Sequence, residues 1–293
     1  MPQRKKVLED LDALNSLKNL AESYEEIAVV RMQKIKDSVL KTRDFLADLS
    51  DVFVDLKTSY EREINEVLKK RKTGDKSLLP ILQKNGKTLA VYLSSNGRLY
   101  GSVTQKTFKL FSQDLKRMDA DIVVIGSAGK EMYENSSVKK PFEYIDVPDT
   151  TIGIDHIKQL MQKFLPYEKV FIYYGKFGNV VTQSAISTSI SGEDIFETET
   201  PIIVPREDRF IFEPDLEKIF NFFETHIMAN LLSQTLLENQ LARHASRVNA
   251  MEEALGNIEN EAKKLNMLKT RIKHQSQNKK QLETIGGLAL WTG

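Results

Sequence analysis

The stretch Val248-Asn249-Ala250-Met251-Glu252-Glu253-Ala254-Leu255-Gly256-Asn257-Ile258 decides the fold of this chain. Its apolar residues recur at alternating intervals of three and four, and the series continues through Ala262, Leu265 and Ile272, with Lys269 in the skipped place. A 3.5-residue repeat of this kind is the seam of a coiled coil. The alternative interpretation is an amphipathic helix that packs on the core of its own domain.

The seam lies in a predicted helix that is too long for one domain. Between Glu213 and Leu290 there is one proline, Pro214, at the start, and there are three glycines. Proline is tolerated in the first turn of a helix, so we expect the helix to begin there. At about 1.5 Å per residue it would reach roughly 110 Å. A rod of that length needs a partner along much of its surface, which favours the coiled coil.

The other end of the chain has the same character. There is no proline between Pro2 and Pro80, and the first glycine is Gly74, so one helix is predicted from about Val7 to Arg71. Its second half has a seam of its own at the heptad positions Ile35, Val39, Leu46, Leu49, Phe53, Leu56, Tyr60 and Val67. Thr42 and Glu63 occupy the two heptad positions that are not apolar or aromatic. Two long helices with such seams are predicted to be antiparallel partners.

Between them the pattern changes to short apolar runs that alternate with helix-like stretches. Strands are predicted at 88–93, 121–125, 169–174 and 180–190, the last as an edge strand, and helices at 103–118, 130–135 and 154–164. This alternation is typical of a mostly parallel α/β sheet. The predicted fold class is therefore α/β, with a long antiparallel coiled coil of the terminal helices and a small Rossmann-like α/β domain between them. The expected segments are 1–72, 73–205 and 206–293.

Composition excludes several classes of protein. The chain has 293 residues and a formal net charge of +1, so no nucleic-acid partner is predicted. It has no cysteine, which excludes disulfides and thiolate metal sites. The charged N-terminus does not fit a secretory signal, and no apolar run approaches the ~20 residues of a membrane span. We expect a soluble chain, or one that is held at a membrane only through partners.

The sequence carries no recognisable catalytic or cofactor motif. Two glycine-containing loops, 94–102 and 125–130, follow predicted strands, but neither has the spacing of a dinucleotide-binding or P-loop motif, and both are interpreted as structural turns. The chain has four histidines, and their spacing is not that of metal ligands: His156, His226, His244 and His274. We therefore expect no catalytic site, cofactor or metal in this chain.

Charge and hydropathy near the C-terminus indicate a partner. From Lys263 to Lys280 there are seven basic residues and no acidic one. Interaction with the helix dipole explains only the last turn, and a solvated face is the other simple explanation. The length of the run favours an acidic partner. The chain then ends in the apolar tip Ile285-Gly-Gly-Leu288-Ala-Leu290-Trp291, which needs a covering surface.

Several stretches resemble one family, the gamma subunits of F-type ATP synthases. The segment 244–251 is similar to the family's H-A-A-R-M-V-A-M, 283–290 to its E-I-V-x-G-A-A-A, and 210–215 to its Y-x-Y-E-P-D. In the middle, 94–101 resembles T-S-D-R-G-L-C-G with the core scrambled, and Lys176-Phe177 matches a K-F after a strand. The resemblance covers nearly the whole length of the chain.

The resemblance implies a central rotor shaft inside a ring of alternating alpha and beta subunits, with an epsilon-type subunit and a c-ring as further partners. It implies ATP synthesis coupled to proton or ion transport, as a peripheral part of a complex on the cytoplasmic face of a membrane. The residues expected to meet the ring are Arg247, Lys269, Arg271, Lys273, Lys279, Ile285, Leu288, Leu290 and Trp291. Phe210 and Phe212 are expected to face the c-ring.

The front helix departs from the family pattern. Asn19 and Glu22 stand where the family has lysines, and Glu26 stands where it has a methionine. This departure leaves open a gamma-like shaft of a specialised rotary ATPase, for example one that drives gliding motility. A coiled-coil scaffold and a dinucleotide- or phosphate-binding enzyme based on the middle domain are the alternatives from other classes.

Overall fold

A computed structural model of the chain describes residues 2–59, 84–150, 152–190 and 216–291. Contacts divide the chain into two compact units. The first comprises 1–29 and 247–293, and the second comprises 30–246. Two long helices supply residues to both units: α1 is Pro2–Ser59 and α5 is Leu216–Trp291. The length of α5, 76 residues, confirms the long C-terminal helix that the proline and glycine distribution predicts.

The second unit is built around a five-stranded sheet. Its strands are β1 (Thr88–Leu93), β2 (Asp121–Ile125), β3 (Glu143–Ile145), β4 (Lys169–Phe177) and β5 (Gln183–Ser189), in the order β3-β2-β1-β4-β5. The first four are parallel to their neighbours, and β5 is antiparallel to β4. The short helices are α2 (Val103–Asp114), α3 (Ser127–Glu134) and α4 (Ile154–Phe164).

Both faces of the sheet are covered, as the continuous apolar runs predict. On one face, alternate residues of β1 such as Leu89 and Val91 pack with Phe164 of α4 and Leu232 of α5. On the other face, Tyr92 and its neighbours pack with Phe111 of α2, with Leu115 directly after that helix and with Tyr133 of α3. The C-terminal helix is thus a structural part of the sheet domain as well as of a coiled coil.

The sequence-based strands agree with the structure at β1 and β2, and the predicted edge position of the last strand is confirmed by the place of β5 at the end of the sheet. Strand β3 was not predicted. It has three residues, 143–145, which is too short to carry a periodic signal, and it forms because β2 offers a parallel edge. The helix predicted at 103–118 ends earlier, at Asp114.

The first unit is an antiparallel pair of helical segments. Lys18 of α1 lies opposite Glu259 of α5 at 3.6 Å, whereas Tyr24, further along α1, lies near Arg247, earlier in α5. The seam residues are buried or half-buried, as predicted, with Met251 8% exposed. Beyond Leu265 the half-buried positions are Leu268 and Ile272, and Lys269 is exposed. Leu268 is therefore more buried than Lys269, which stands at the strict heptad position.

The seam predicted in the second half of α1 is also observed where the structure describes it. Val39 is 1% exposed, and the other four described positions from 35 to 49 are half-buried. The rest of that seam, from Phe53 to Val67, lies outside the described side chains, as do the predicted segment boundaries near 72 and 205. Within the described ranges no helix is long and apolar enough to cross a membrane.

Candidate functional site

A set of polar residues on α5 joins this helix to the loops at the carboxyl end of the sheet. Apolar residues of α5 as far as Leu236 belong to the core cluster of the sheet, and buried polar residues such as Asn239 and Arg243 follow them along the helix. Asn239 Oδ1 accepts from the Gly175 amide at 3.1 Å, and its Nδ2 donates to the carbonyl of Leu93 at 3.4 Å. One side chain thus bridges the ends of β1 and β4.

Arg243, one turn further along α5, makes the ionic contact of this set. Its Nη1 donates to Oδ1 of Asp149 at 2.7 Å and to the carbonyl of Ser94 at 2.9 Å. Its guanidinium also lies over the ring of Tyr100, 5.0 Å from the ring centre. Gln240 donates to the backbone carbonyl of Asp149 at 3.0 Å. We call Asn239, Gln240, Arg243 and Asp149 the polar latch.

Asp149 is the acceptor at the centre of the latch. Its carboxylate also accepts from the amides of Asn96 at 3.0 Å and Gly97 at 2.7 Å. Burial by itself raises the pKa of Asp149, but the Arg243 guanidinium and the two amides outweigh it, so the pKa lies below its usual range. The carboxylate is therefore charged in the folded protein at neutral pH and holds the loop after β1 against α5.

A glycine permits the closest approach of the loop to the helix. Gly101 has φ +61°, and a Cβ there would lie 2.4 Å from Oγ and 2.5 Å from the carbonyl oxygen of Ser246. No side chain fits at that distance. The loop after β1 therefore packs directly on the backbone of α5.

The two loops considered as phosphate sites are engaged within the protein. The amide of Ser127, at the start of α3, donates to Asn96 Oδ1 at 2.8 Å, and the amide of Ala128 donates to the carbonyl of Ser95 at 2.9 Å. A Cβ at Gly126 would lie 2.7 Å from the backbone of Ser95. These contacts favour the interpretation of both loops as structural turns. Among the described residues no group of histidine and acidic side chains could hold a metal.

Of the residues predicted to meet a partner, Arg247 is the one that the structure buries. It is 5% exposed, and its guanidinium lies 5.5 Å from the ring centre of Tyr24. The others that the structure describes are exposed, namely Lys269, Arg271, Lys273, Lys279 and Ile285. The side chains of Leu288, Leu290 and Trp291, and the residues Phe210 and Phe212, lie outside the described part of the chain.

Beyond Ile272, every described side chain of α5 up to Ile285 is exposed. Leu282 is 70% and Ile285 63% exposed, although both are apolar. This helical extension contains the basic residues Lys273, Lys279 and Lys280. An isolated helix of this composition is marginal in water. The extension therefore has the chemistry of a segment that another protein surrounds.

The sequence analysis does not predict the latch. Its signal was present as Asn239, Gln240 and Arg243, which share one face of a helix at spacings of three and four. Such residues are also typical of a solvated face. Their partner, Asp149, is 94 residues away from Arg243 in the chain and lies in a loop without a motif.

Comparisons with known proteins agree with the fold. A family profile described as ATP synthase matches residues 4–289. The ATP synthase gamma chain of Mycoplasma mycoides subsp. mycoides is 23% identical over 293 residues, which cover 98% of each chain. The gamma chain of Mycoplasma genitalium is 27% identical over 213 residues, which cover 70% of this chain and 75% of the relative.

Solved structures give the same result for the architecture. A chain in the rotational state 3 structure of the Euglena gracilis mitochondrial ATP synthase (OSCP/F1/c-ring) has a TM-score of 0.65 at 14% identity, and the match covers 98% of this chain and 94% of that one. A chain of the Tetrahymena thermophila central stalk and c-ring structure has a TM-score of 0.54 at 18% identity, with coverage of 80% and 99%. These likenesses establish the fold, and the profile match over nearly the whole length shows that the chain belongs to the gamma-chain family of ATP synthases.

Proposed function

We propose that this chain is the central rotor shaft of an F-type ATP synthase or ATPase, which couples rotation to the opening of nucleotide sites in an alpha-beta ring. The gamma chain is a non-catalytic subunit of ATP synthase, part of a membrane-associated complex. The observation that carries the proposal is α5. This single helix is held by buried polar groups at one part of its length, and exposes every described side chain from 273 to 285 at another.

The exposed extension supplies the surface for the ring. Arg271, Lys273 and Lys279 are suited to acidic loops of alpha and beta subunits, and Ile285 to an apolar bearing. We assign Lys269, Leu288, Leu290 and Trp291 to the same contact. A shaft with different side chains on its different faces stabilises different conformations of the surrounding subunits as it turns, which couples torque to nucleotide affinity.

The sheet domain is assigned a second set of contacts in this proposal. The solved structures that match this fold include central stalks together with a c-ring. We assign the region of Phe210 and Phe212 to the c-ring side and include an epsilon-type subunit among the partners. The chain itself holds no catalytic site and no cofactor in this proposal, and it works at the cytoplasmic face of a membrane. The segments 1–72, 73–205 and 206–293 are its front helix, its foot and its back helix.

The family match favours this function over a coiled-coil scaffold or an enzyme based on the middle domain. A gamma-like shaft of a specialised rotary ATPase uses the same mechanism, and is less favoured because the matched relatives are ATP synthase gamma chains. The feature that favours the specialised ATPase is the departure of the front helix from the family pattern at Asn19, Glu22 and Glu26. The sequence identity between this chain and the relatives is low. The partners that bind this chain therefore distinguish a synthase shaft from the shaft of a specialised rotary ATPase.

Co-purification of the tagged native protein tests the proposal. We expect recovery with alpha- and beta-type subunits at about one copy per hexamer, and with a c-ring in the synthase case. Recovery with the ring but without a c-ring would identify the specialised motor. Recovery alone or as a homodimer would exclude the shaft and return the scaffold and the middle-domain enzyme to consideration.

A further inference from the structure

The face of α5 that lies on the sheet has two chemically different parts. Met228, Leu232 and Leu236 are buried at 1%, 0% and 4% exposure and pack against the apolar core. Beyond them, Asn239 and Arg243 continue the same helical face at spacings of three and four. The apolar part holds the helix on the sheet, and the polar part adds directed bonds.

The distinction matters because apolar packing is not directional, whereas hydrogen bonds are. Close-packed aliphatic side chains resist the rotation of a helix through their shape, and hydrogen bonds add a resistance that depends on direction. Polar atoms about 5–6 Å from the axis move by roughly 2 Å when a helix turns by about 20°. A shift of that size breaks a hydrogen bond of 2.7 Å, such as the one from Arg243 to Asp149.

The bonds of the latch reach three separate parts of the sheet domain. Asn239 contacts the ends of β1 and β4, Arg243 contacts the Ser94 carbonyl and the Asp149 carboxylate, and Gln240 contacts the Asp149 carbonyl. Contacts on several sides resist rotation in either direction. The contact of Gly101 with the backbone of Ser246 adds a steric stop.

We propose that the polar latch sets the rotational position of α5 in the sheet domain and carries the torque between them, so that Asp149, Asn239 and Arg243 are positioning residues for coupling. This inference rests on the proposed function. The latch stays closed throughout rotation. A variant without it assembles and hydrolyses ATP, but its shaft slips in the sheet domain under load.

The test compares latch variants with a packing variant in the assembled complex of this chain with the ring subunits and c-ring of its own organism. Asp149→Asn and Asn239→Leu remove directed bonds. Leu232→Ala removes apolar packing from the same helix face and serves as the matched control. The measurements are the melting temperature of each chain, the ATP hydrolysis rate of the complex, and the ion transport per ATP hydrolysed against an opposing gradient.

We expect the latch variants to hydrolyse ATP within about twofold of the wild type and to lose about fivefold or more in transport per ATP under load. Leu232→Ala is expected to keep its transport per ATP although its melting temperature falls as far or further. A loss of transport that follows melting temperature in all three variants would overturn the inference. So would latch variants that couple like the wild type.

A reversible cross-link provides the rescue. A Cβ at Gly175 would lie 3.4 Å from the Cβ of Ala242 on α5, a separation close to that of a disulfide, and 2.7 Å from Val103 Cγ2. The chain has no cysteine of its own. Gly175→Cys with Ala242→Cys, in a Val103→Ala background that makes room, therefore forms a defined bridge between sheet and helix.

The bridge is expected to restore transport per ATP in the Asp149→Asn chain when oxidised, and to lose that effect when reduced. In a chain with Asp149 intact, the oxidised bridge leaves transport unchanged, because the latch does not open during rotation. Inhibition of that chain by the bridge would contradict a closed latch. Failure of the wild-type chain to assemble with the ring would overturn the proposed function itself. Normal assembly of the wild type, together with a loss of transport per ATP in the Leu232→Ala control as well, would overturn only this inference.

Discussion

Arg43 of α1 donates from Nε to Oε1 of Glu238 on α5 at 2.8 Å, and its Nη2 forms an ion pair with the same oxygen, also at 2.8 Å. The Glu238 side chain is 2% exposed, whereas that of Arg43 is 36% exposed. Gln234 donates to the same oxygen at 3.0 Å. The buried partner of this pair is therefore the acid, and it depends on Arg43 for its counter-charge.

Replacement of Arg43 and replacement of Glu238 are expected to lower the unfolding free energy by unequal amounts. Arg43→Met leaves a buried carboxylate without its counter-charge and is expected to cost about 3–5 kcal/mol of unfolding free energy. Glu238→Gln leaves a neutral amide and an arginine that can reach water, and is expected to cost about 1–2 kcal/mol. Urea unfolding followed by circular dichroism measures both.

The double variant Arg43→Met/Glu238→Gln completes the cycle. We expect it to be more stable than the sum of the single losses indicates, since no charge is left unpaired in it. Additive losses would mean that the two side chains do not interact in solution.

Asp149→Asn is expected to destabilise the second unit, because it removes the charge that Arg243 and two backbone amides share. Loss of one partner of such a buried pair costs about 3–5 kcal/mol. Asp119→Asn, an exposed carboxylate without an ion pair in the described structure, is the control and is expected to change stability by less than about 0.5 kcal/mol. Equal effects of the two variants would show that the charge of Asp149 is not used.

Acid is expected to open the same contact. The pKa of Asp149 is lowered in the folded protein, so its contribution is present above the unfolded value of about 3.9 and is lost as the pH falls through the lower, folded value. The unfolding free energy of the wild type should therefore fall more steeply below about pH 4 than that of Asp149→Asn. Parallel pH profiles of the two proteins would contradict the assignment.

Gly101→Ala is expected to be strongly destabilising for two reasons, a positive φ of +61° and a Cβ that would lie 2.5 Å from the carbonyl oxygen of Ser246. Gly86→Ala is the control that separates backbone strain from the Cβ contact, because Gly86 has φ +70° but no atom within 4 Å of the position of a Cβ. The strain alone is expected to cost about 1–2 kcal/mol at either position. The contact with α5 should add about 1–3 kcal/mol at Gly101 only.

Melting temperatures measure this difference directly. A drop at Gly101 no larger than the drop at Gly86 would mean that the loop after β1 does not approach the backbone of α5 in solution.

Charge reversal in the helical extension is expected to affect coupling and not folding. Arg271, Lys273 and Lys279 are exposed, so their joint replacement by glutamate should leave the melting temperature within a few degrees. The triple variant is expected to lower transport per ATP in the assembled complex, since acidic ring loops would meet like charges. Single changes are expected to contribute only about 0–1 kcal/mol each.

The matched control carries three reversals on the sheet domain, at the exposed residues Lys106, Lys109 and Lys116. We expect this variant to couple like the wild type. Equal coupling in both triple variants would remove the electrostatic part of the ring contact.

The local pattern of this sequence determines most of its secondary structure. The absence of proline inside α5, its small number of glycines and the recurrence of apolar residues from Val248 to Leu265 can be seen without tertiary information, because helix propensity and heptad spacing are local properties. The same is true of β1 and β2, whose continuous apolar runs need burial on both faces. The resemblance to gamma subunits likewise rests on motifs that are contiguous in the chain.

Only the tertiary structure decided which polar residues of α5 are exposed and which are inside. Arg243, Arg247 and Arg271 look alike in the sequence, yet the first is paired with Asp149, the second lies over Tyr24, and the third is exposed. Side-chain environment depends on residues that are distant in the chain, and α5 buries one face in the second unit but finds no partner in the described chain beyond Ile272. Local periodicity can therefore predict the helix, whereas the latch required the folded contacts.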